Sequence, residues 1–143
     1  MFRFAACVCF AVTVSHPLSH RWCPERQLPN MPRIEDYTFG RILVDGEEHT
    51  KDVIVLPSRV VGAWWRREGH ALVLEDLDEV LDELPGRLVV GTGAYGRMRP
   101  DPGALEQLRA REIEVESLPT PDAVRRYGEL DEARTAAALH LTC

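Results

Sequence analysis

The sequence predicts a compact single α/β domain: a central mixed sheet with crossover helices and an N-terminal β-hairpin layer, three layers in all. Three observations lead there. A hairpin signal, Asp45-Gly46, stands early between two apolar runs. After it, strand-like and helix-like segments alternate, and helices between strands imply crossovers and a partly parallel sheet covered on both sides. Such crossovers are right-handed. Finally, 143 residues fit one domain, and 45% hydrophobic residues suffice for a core.

The elements follow in order. Tyr37 to Val44 is expected to be a strand, with His49 to Leu56 as its partner across Asp45-Gly46, where glycine accepts positive φ. Asp52-Val-Ile-Val-Leu56 is apolar enough to be buried, and Pro57 ends it because proline donates nothing to a ladder. In the adjacent Trp64 and Trp65, one ring is expected in the core and the other on an edge or groove, with Arg66 and Arg67 exposed or paired. Leu77, Val80, Leu81 and Leu84 recur at helical spacing, so a helix is expected over Glu75 to Leu84, with acids in its first turn. Arg87 to Gly91 is a buried strand. A helix over Pro102 to Ala110 has Asp101 as cap and proline at its first position, with Leu105 and Leu108 facing inward. Glu112 to Leu118 alternates acidic and apolar residues, as an edge strand does. Thr120 is expected to cap a third helix whose inner face is Ala123, Val124, Tyr127 and Leu130. Arg134 to Leu141 closes the chain as a strand.

Residues 1–30 differ from the rest and are expected to lie outside the fold, with the domain spanning 31–143. They hold Cys7, Cys9 and Cys23 and carry +2, from Arg3, Arg21 and Arg26 against Glu25. The whole chain carries −6, so the remainder carries −8. Three readings stand for this leader: a secretory signal, a mitochondrial presequence, or a start placed too early, with Met31 beginning the protein in the cytoplasm. Its apolar run, Phe4 to Val14, is short of the about 20 residues a membrane span needs. An acidic domain is a poor general nucleic-acid binder.

The best local feature for chemistry is Val89-Val-Gly-Thr-Gly-Ala-Tyr-Gly96. A strand runs into a glycine-rich turn, and strand carboxyl ends are where open parallel sheets bind ligands. The turn is neither a dinucleotide fingerprint, because Pro100 blocks an immediate helix, nor a P-loop, because no Gly-Lys-Ser/Thr follows. Its backbone amides are candidates for holding an anion. The alternative is a tight turn with no ligand. Arg66, Arg67, His70, Arg97 and Arg99 are candidates for a basic patch beside it, each otherwise pairing with a surface acid. His140 and Cys143, three apart on the expected strand, face opposite sides and make no nucleophile–base pair. Asp45, Glu47, Glu48 and Asp52 read as a solvated acidic turn. No catalytic set, metal-ligand spacing or cofactor motif stands out.

Seven ordered motifs together carry a resemblance: Tyr37-x-Phe-Gly40, Asp45-Gly46, Asp52-Val-Ile-Val, Trp65-Arg66-x-x-Gly69-His70, Val90-Gly-Thr-Gly93, Thr120-x-x-Ala123 and His140-Leu-Thr-Cys143. Over residues 34–143 the chain resembles the small MTH-domain family of unknown function, which includes adipogenesis-associated MTH-domain proteins and mitochondrial complex I assembly factor 3. The resemblance implies a mixed-sheet α/β domain without an established enzymatic activity, and a cleft formed by Trp65, Arg66, His70, Gly91, Thr92, Gly93 and Thr120. Gly128 departs from the family pattern, where asparagine commonly follows the tyrosine. Glycine weakens a helix by about 1 kcal/mol relative to alanine, so the last helix is expected to end near Tyr127. The functional expectation is a non-enzymatic, assembly-type factor that binds a protein partner. The alternative is a binder of a small anionic ligand, or an unidentified enzyme, at the Gly-Thr-Gly cleft. A homodimer pairing through Glu112 to Leu118 is a third expectation.

Overall fold

A computed structural model describes residues 31–143; the three readings of the leader lie outside the described residues. Strands β1 (Ile34–Thr38), β2 (Arg41–Val44) and β3 (Glu47–His49) form an antiparallel sheet in the order β1-β2-β3. The expected strand over Tyr37 to Val44 is therefore divided. Phe39 and Gly40 make a two-residue turn between β1 and β2, with Gly40 at φ 73°. Asp45-Gly46 turns as expected, both residues at positive φ, 49° and 78°.

The predicted partner of that turn is divided as well. Of it only His49, the last residue of β3, pairs with β2. The chain then leaves for a second sheet, in which β4 (Val53–Val55) and β5 (Val60–Val61) lie antiparallel. That central sheet has the order β5-β4-β10-β7-β9, with β7 spanning Arg87–Thr92, β9 Glu114–Leu118 and β10 Thr135–His140. β10 is parallel to β7 and antiparallel to β4, and β7 is parallel to β9. The expected mixed sheet is borne out. The closing strand runs through its middle, with every residue from Thr135 to His140 buried.

Both faces are covered, as the unbroken apolar strands require. Leu88, Val90, Ala136 and Ala138 pack on one face with Ile54, Leu72 and Leu108. Val89, Ala137 and Leu139 pack on the other with Ile42, Val44 and Tyr127. The first face carries α1 (Pro102–Ala110), and the second carries α2 (Thr120–Glu129) and the three-stranded sheet. Burying each valine, leucine or isoleucine among them contributes about 1.5–3 kcal/mol. Strands β6 (Ala71–Leu72) and β8 (Arg99–Pro100) pair in parallel as a small third sheet.

Helix α1 has the expected bounds, and the Ala104 N–H donates to the Asp101 carboxylate at 3.2 Å. Its buried residues are Ala104 and Leu108; Leu105 is only half-buried. Helix α2 runs through Gly128 to Glu129 rather than ending at Tyr127. Its packing through Ala123 and Tyr127 overrides the weak propensity of an exposed glycine. Pro119, not Thr120, occupies its cap position.

The helix expected over Glu75 to Leu84 forms as two 3-10 turns, Leu74–Leu77 and Leu81–Glu83. The apolar face is nevertheless the expected one: Leu77 and Val80 are buried, with Leu81 and Leu84 against them. The backbone explains the change of type. Trp64 Nε1 donates to the Asp76 carbonyl at 2.8 Å, taking the acceptor that an α-helix would offer to Val80. Val80 N–H donates instead to Leu77 O. The Asp76 carboxylate meanwhile accepts from the amides of Val73 and Arg67.

Candidate functional site

The carboxyl ends of the parallel strands β7, β9 and β10 lie side by side, and the Gly-Thr-Gly turn leaves from the middle one. Gly91 lies close under Thr120 and Leu139: a Cβ there would stand 2.9 Å from Thr120 Oγ1 and 2.8 Å from a Leu139 methyl. Gly93 has φ 101°, and a Cβ would meet the Thr142 carbonyl oxygen at 2.6 Å. The turn thus needs glycine for close approach to the chain beyond β10. Three of its amides are used within the fold. Gly93 N–H donates to Thr120 Oγ1 (2.9 Å), Ala94 N–H to Thr142 O (3.3 Å) and Gly96 N–H to Gly93 O (3.2 Å). The Thr120 hydroxyl donates its own proton to His140 O, and the Thr92 hydroxyl donates to Leu118 O at 3.0 Å. Thr120 therefore ties β7 to β10 rather than capping α2.

A buried ionic cluster adjoins this seam. The antiparallel register of β4 and β10 brings Asp52, just before β4, beside His140 at the end of β10. Asp52 Oδ2 lies 2.8 Å from His140 Nδ1 and 3.0 Å from Arg66 Nη2, and Asp52 Oδ1 accepts the Leu141 N–H at 2.9 Å. Arg66 Nη2 also donates to Gly69 O at 3.2 Å. These contacts close when the Nδ1 proton goes to Asp52, because Arg66 Nη2 then gives its two protons to Asp52 and Gly69. The guanidinium stacks over Trp64 at 5.1 Å. Arg66 has 4% of its side chain exposed, and its Nε and Nη1 are buried without partners, as is His140 Nε2. Burial pushes the Asp52 carboxyl up. Hydrogen bonds from His140 and Leu141 and the Arg66 charge outweigh that and hold it below the usual carboxylate value. Burial likewise draws the Arg66 guanidinium down, with Asp52 and Asp76 opposing. The cluster clamps the 64–69 loop to β4 and β10.

The seven residues of the expected cleft fall into three groups. Gly91, Thr92, Gly93 and Thr120 form the seam. Arg66 is buried in the ionic cluster. Trp65 and His70 are on the surface, in separate basins. Of the tryptophan pair, Trp64 is the core ring and Trp65 is 75% exposed, beside Arg67, Glu75, Asp78 and Glu79. His70 lines an open basin of about 490 Å³ with Tyr95, Gly96, Arg97 and Arg99. The expected basic patch accordingly gathers only His70, Arg97 and Arg99. Arg66 has gone inside, and Arg67 faces the acidic basin.

Two contributors are not singled out by the sequence patterns. Phe39, at the tip of the β1–β2 turn, is 62% exposed, and Tyr95, at the tip of the Gly-rich turn, is 75% exposed. Their ring centroids are 6.4 Å apart. A sequence signal does exist: each aromatic stands beside a turn glycine, Gly40 or Gly96, where a side chain projects outward. Asp52 and His140 read separately in the sequence, as an acidic turn residue and an unsupported base, yet both belong to the resemblance motifs.

Among the described residues no helix is long and apolar enough to cross a membrane, and no group of three or more His, Cys, Asp or Glu is placed to hold a metal ion.

Comparison with known proteins agrees with this architecture. Residues 34–140 match the family described as "Protein of unknown function (DUF498/DUF598)". The conserved hypothetical protein PH1505 from Pyrococcus horikoshii OT3 is 31% identical, with a TM-score of 0.65, over 78% of this chain and 99% of that one. The Rpa2829 protein from Rhodopseudomonas palustris is 28% identical, TM-score 0.61, over 82% of this chain and 91% of that one. A Bordetella pertussis protein described as a Mth938-like domain shares the fold at 21% identity, TM-score 0.64, over 78% of this chain and 86% of that one. With most of its length matched by the family model, the chain belongs to the DUF498/DUF598 family of proteins of unknown function, and it shares the Mth938-like fold.

Proposed function

We propose that this protein is a non-enzymatic binding factor that holds a partner protein on the surface around Phe39 and Tyr95. One observation carries the reading: two large aromatic rings from separate turns meet in the open, both largely exposed, with Arg97, Arg99 and His70 beside Tyr95. Aromatic residues and arginine dominate the energetics of protein interfaces. Both aromatics sit on tight turns anchored to sheets, so little order is lost when they are covered. The resemblance to a family that includes mitochondrial complex I assembly factor 3 supports an assembly-type role.

The small-anion alternative has less support at the turn itself, since the amides of Gly93, Ala94 and Gly96 are bonded within the fold. Pairing through β9 also has less support. Glu114 and Glu116 are bonded to Arg87 and Arg126, and charges along an edge discourage strand addition.

The test is site-specific photo-crosslinking in native cells. A benzophenone amino acid replaces Tyr95 in one variant and Glu106, on the exposed side of α1, in another. A defined protein adduct at 95 and not at 106 is the expected outcome. Equal adducts at both positions, or no protein adduct at 95, would overturn the reading.

A further inference from the structure

We infer that the His70–Arg97–Arg99 basin is a recognition site for an acidic segment of a partner protein, with carboxylate side chains on the two guanidiniums and an apolar residue on Tyr95 and Phe39. This inference rests on the binding role proposed above and names the chemistry of the partner.

Charge matching within the chain is the first ground. The domain is acid-rich, and its surface arginines are mostly answered by its own acids: Arg59 by Glu83, Arg87 by Glu114, Arg126 by Glu116. Arg97 and Arg99 are exposed, and among the described residues no carboxylate lies within 4 Å of either. On a chain with net charge −6, two unanswered guanidiniums next to a histidine are a local reversal of sign.

Placement is the second ground. Arg97 and Arg99, the latter opening β8, are both exposed and line the same basin. The Arg99 N–H donates to the His70 carbonyl at 2.9 Å, which fixes the histidine's segment against the arginines. Between them, Met98 is buried and pins the stretch to the core. Arg99 is thus held by a backbone bond and both arginines by the core anchor between them, while among the described residues their guanidiniums meet no carboxylate.

Shape decides the class of ligand. A site built for a small molecule encloses most of it, and this basin is open, lined by His70, Tyr95, Gly96, Arg97 and Arg99. An extended peptide needs an open surface, and it can continue from the arginines onto the adjoining Tyr95–Phe39 pair. Guanidinium forks suit carboxylates in bidentate geometry.

The test is an NMR titration of the full isotope-labelled chain with an acetylated hexapeptide of four glutamates, one phenylalanine and one leucine. The same peptide with glutamine for glutamate, and inorganic phosphate, serve as comparison probes. The expected result is saturable shifts at His70, Tyr95 to Arg99 and Phe39 with the acidic peptide, at least about fivefold weaker binding after R97Q/R99Q, and weakening as salt is raised. The amide spectrum of each variant shows directly that it is folded. Equal binding of the glutamine peptide, shifts confined elsewhere, or no saturable binding would overturn the inference. Inorganic phosphate reproducing the full pattern at equal affinity would overturn it in favour of a small-anion site. A crosslinked partner at position 95 without acidic-peptide binding removes this inference and leaves the binding role standing. Peptide binding without any crosslinked partner overturns the binding role, and the inference that rests on it falls with it.

Discussion

Two clusters of arginine and histidine flank the turn after β7, and the fold treats them in opposite ways. Arg66 and His140 are buried, oriented by Asp52 and closed off from water. Arg97, Arg99 and His70 are exposed, with no carboxylate of the described residues within reach of the arginines. The residue types are the same, so the chemistry of the side chain does not set its role. What sets it is whether the chain supplies a counter-charge. A buried guanidinium requires one, because an unpaired charge inside is costly. An exposed one does not, and leaving it open keeps it for a partner at little cost in stability. The contrast predicts large stability effects and no binding effect in the first cluster, and the reverse in the second.

The largest expected effect is at Asp52. D52N removes the counter-charge and leaves the Arg66 guanidinium buried, which costs about 3–5 kcal/mol of folding stability. The midpoint of a urea melt with unchanged slope measures it. The pH dependence follows in sign. Folding holds the Asp52 carboxyl below its ordinary value, so its contribution is complete above the unfolded carboxylate value near about 3.9. It drains away as the pH falls below that toward the lower folded value. The difference in stability between wild type and D52N should therefore shrink on acidification below about pH 4. A difference that stays constant from pH 7 to pH 3 would mean that Asp52 does not act through its charge, and the contrast between the clusters would lose its electrostatic basis.

Next comes the seam that joins the two regions. T120V keeps the shape of the side chain but removes both bonds of the hydroxyl, leaving the buried Gly93 N–H and His140 carbonyl without that partner. A loss of about 2 kcal/mol is expected in the same melt. A midpoint equal to wild type would show that the turn is held by packing alone.

These two side chains also mark how far the sequence can be read. Local signals carry the fold well where one element's pattern decides its state. Asp101-Pro102 sets the start of α1, Asp45-Gly46 sets a turn, and the apolar run Arg87 to Gly91 makes a strand covered on both faces. They fail where a distant group intervenes. The Leu77, Val80, Leu81, Leu84 spacing is helical, but Trp64 takes the Asp76 carbonyl and leaves 3-10 turns. Thr120 has the right position and chemistry for a cap, yet His140 and Gly93 claim its hydroxyl. The candidate site divides in the same way. Gly91, Thr92, Gly93 and Thr120 do meet, because strand ends and the following turn are close in the chain's topology. Asp52, Arg66 and His140 meet only because β4 lies antiparallel to β10, a pairing between residues far apart in sequence. Exposure is the least legible property, and the basic patch is therefore two arginines narrower than the sequence suggests.

A smaller effect calibrates the others from outside both clusters. Gly128 is exposed in the last turn of α2, and a Cβ there would meet nothing within 4 Å. G128A should stabilise the protein by about 0.5–1 kcal/mol and leave peptide binding at the His70–Arg97–Arg99 basin unchanged. A destabilised variant would show that the helix end is held in a conformation needing glycine.

The smallest stability effect is expected where the binding effect is largest. R97Q/R99Q removes two charges that make no ion pair within the described chain, so stability should stay within about 0.5 kcal/mol of wild type. Stability should even rise slightly if the neighbouring positive charges repel one another. This separates the clusters more sharply than any loss of function would. A patch maintained for folding would melt when its charges go, as the Asp52 cluster does; a patch maintained for a partner would not. If R97Q/R99Q lowers the melt midpoint as much as T120V, the two arginines serve the fold, and the basin loses its standing as a free surface. If stability holds while acidic-peptide binding falls, the arginines of this chain divide into those the fold consumes and those it leaves for another protein.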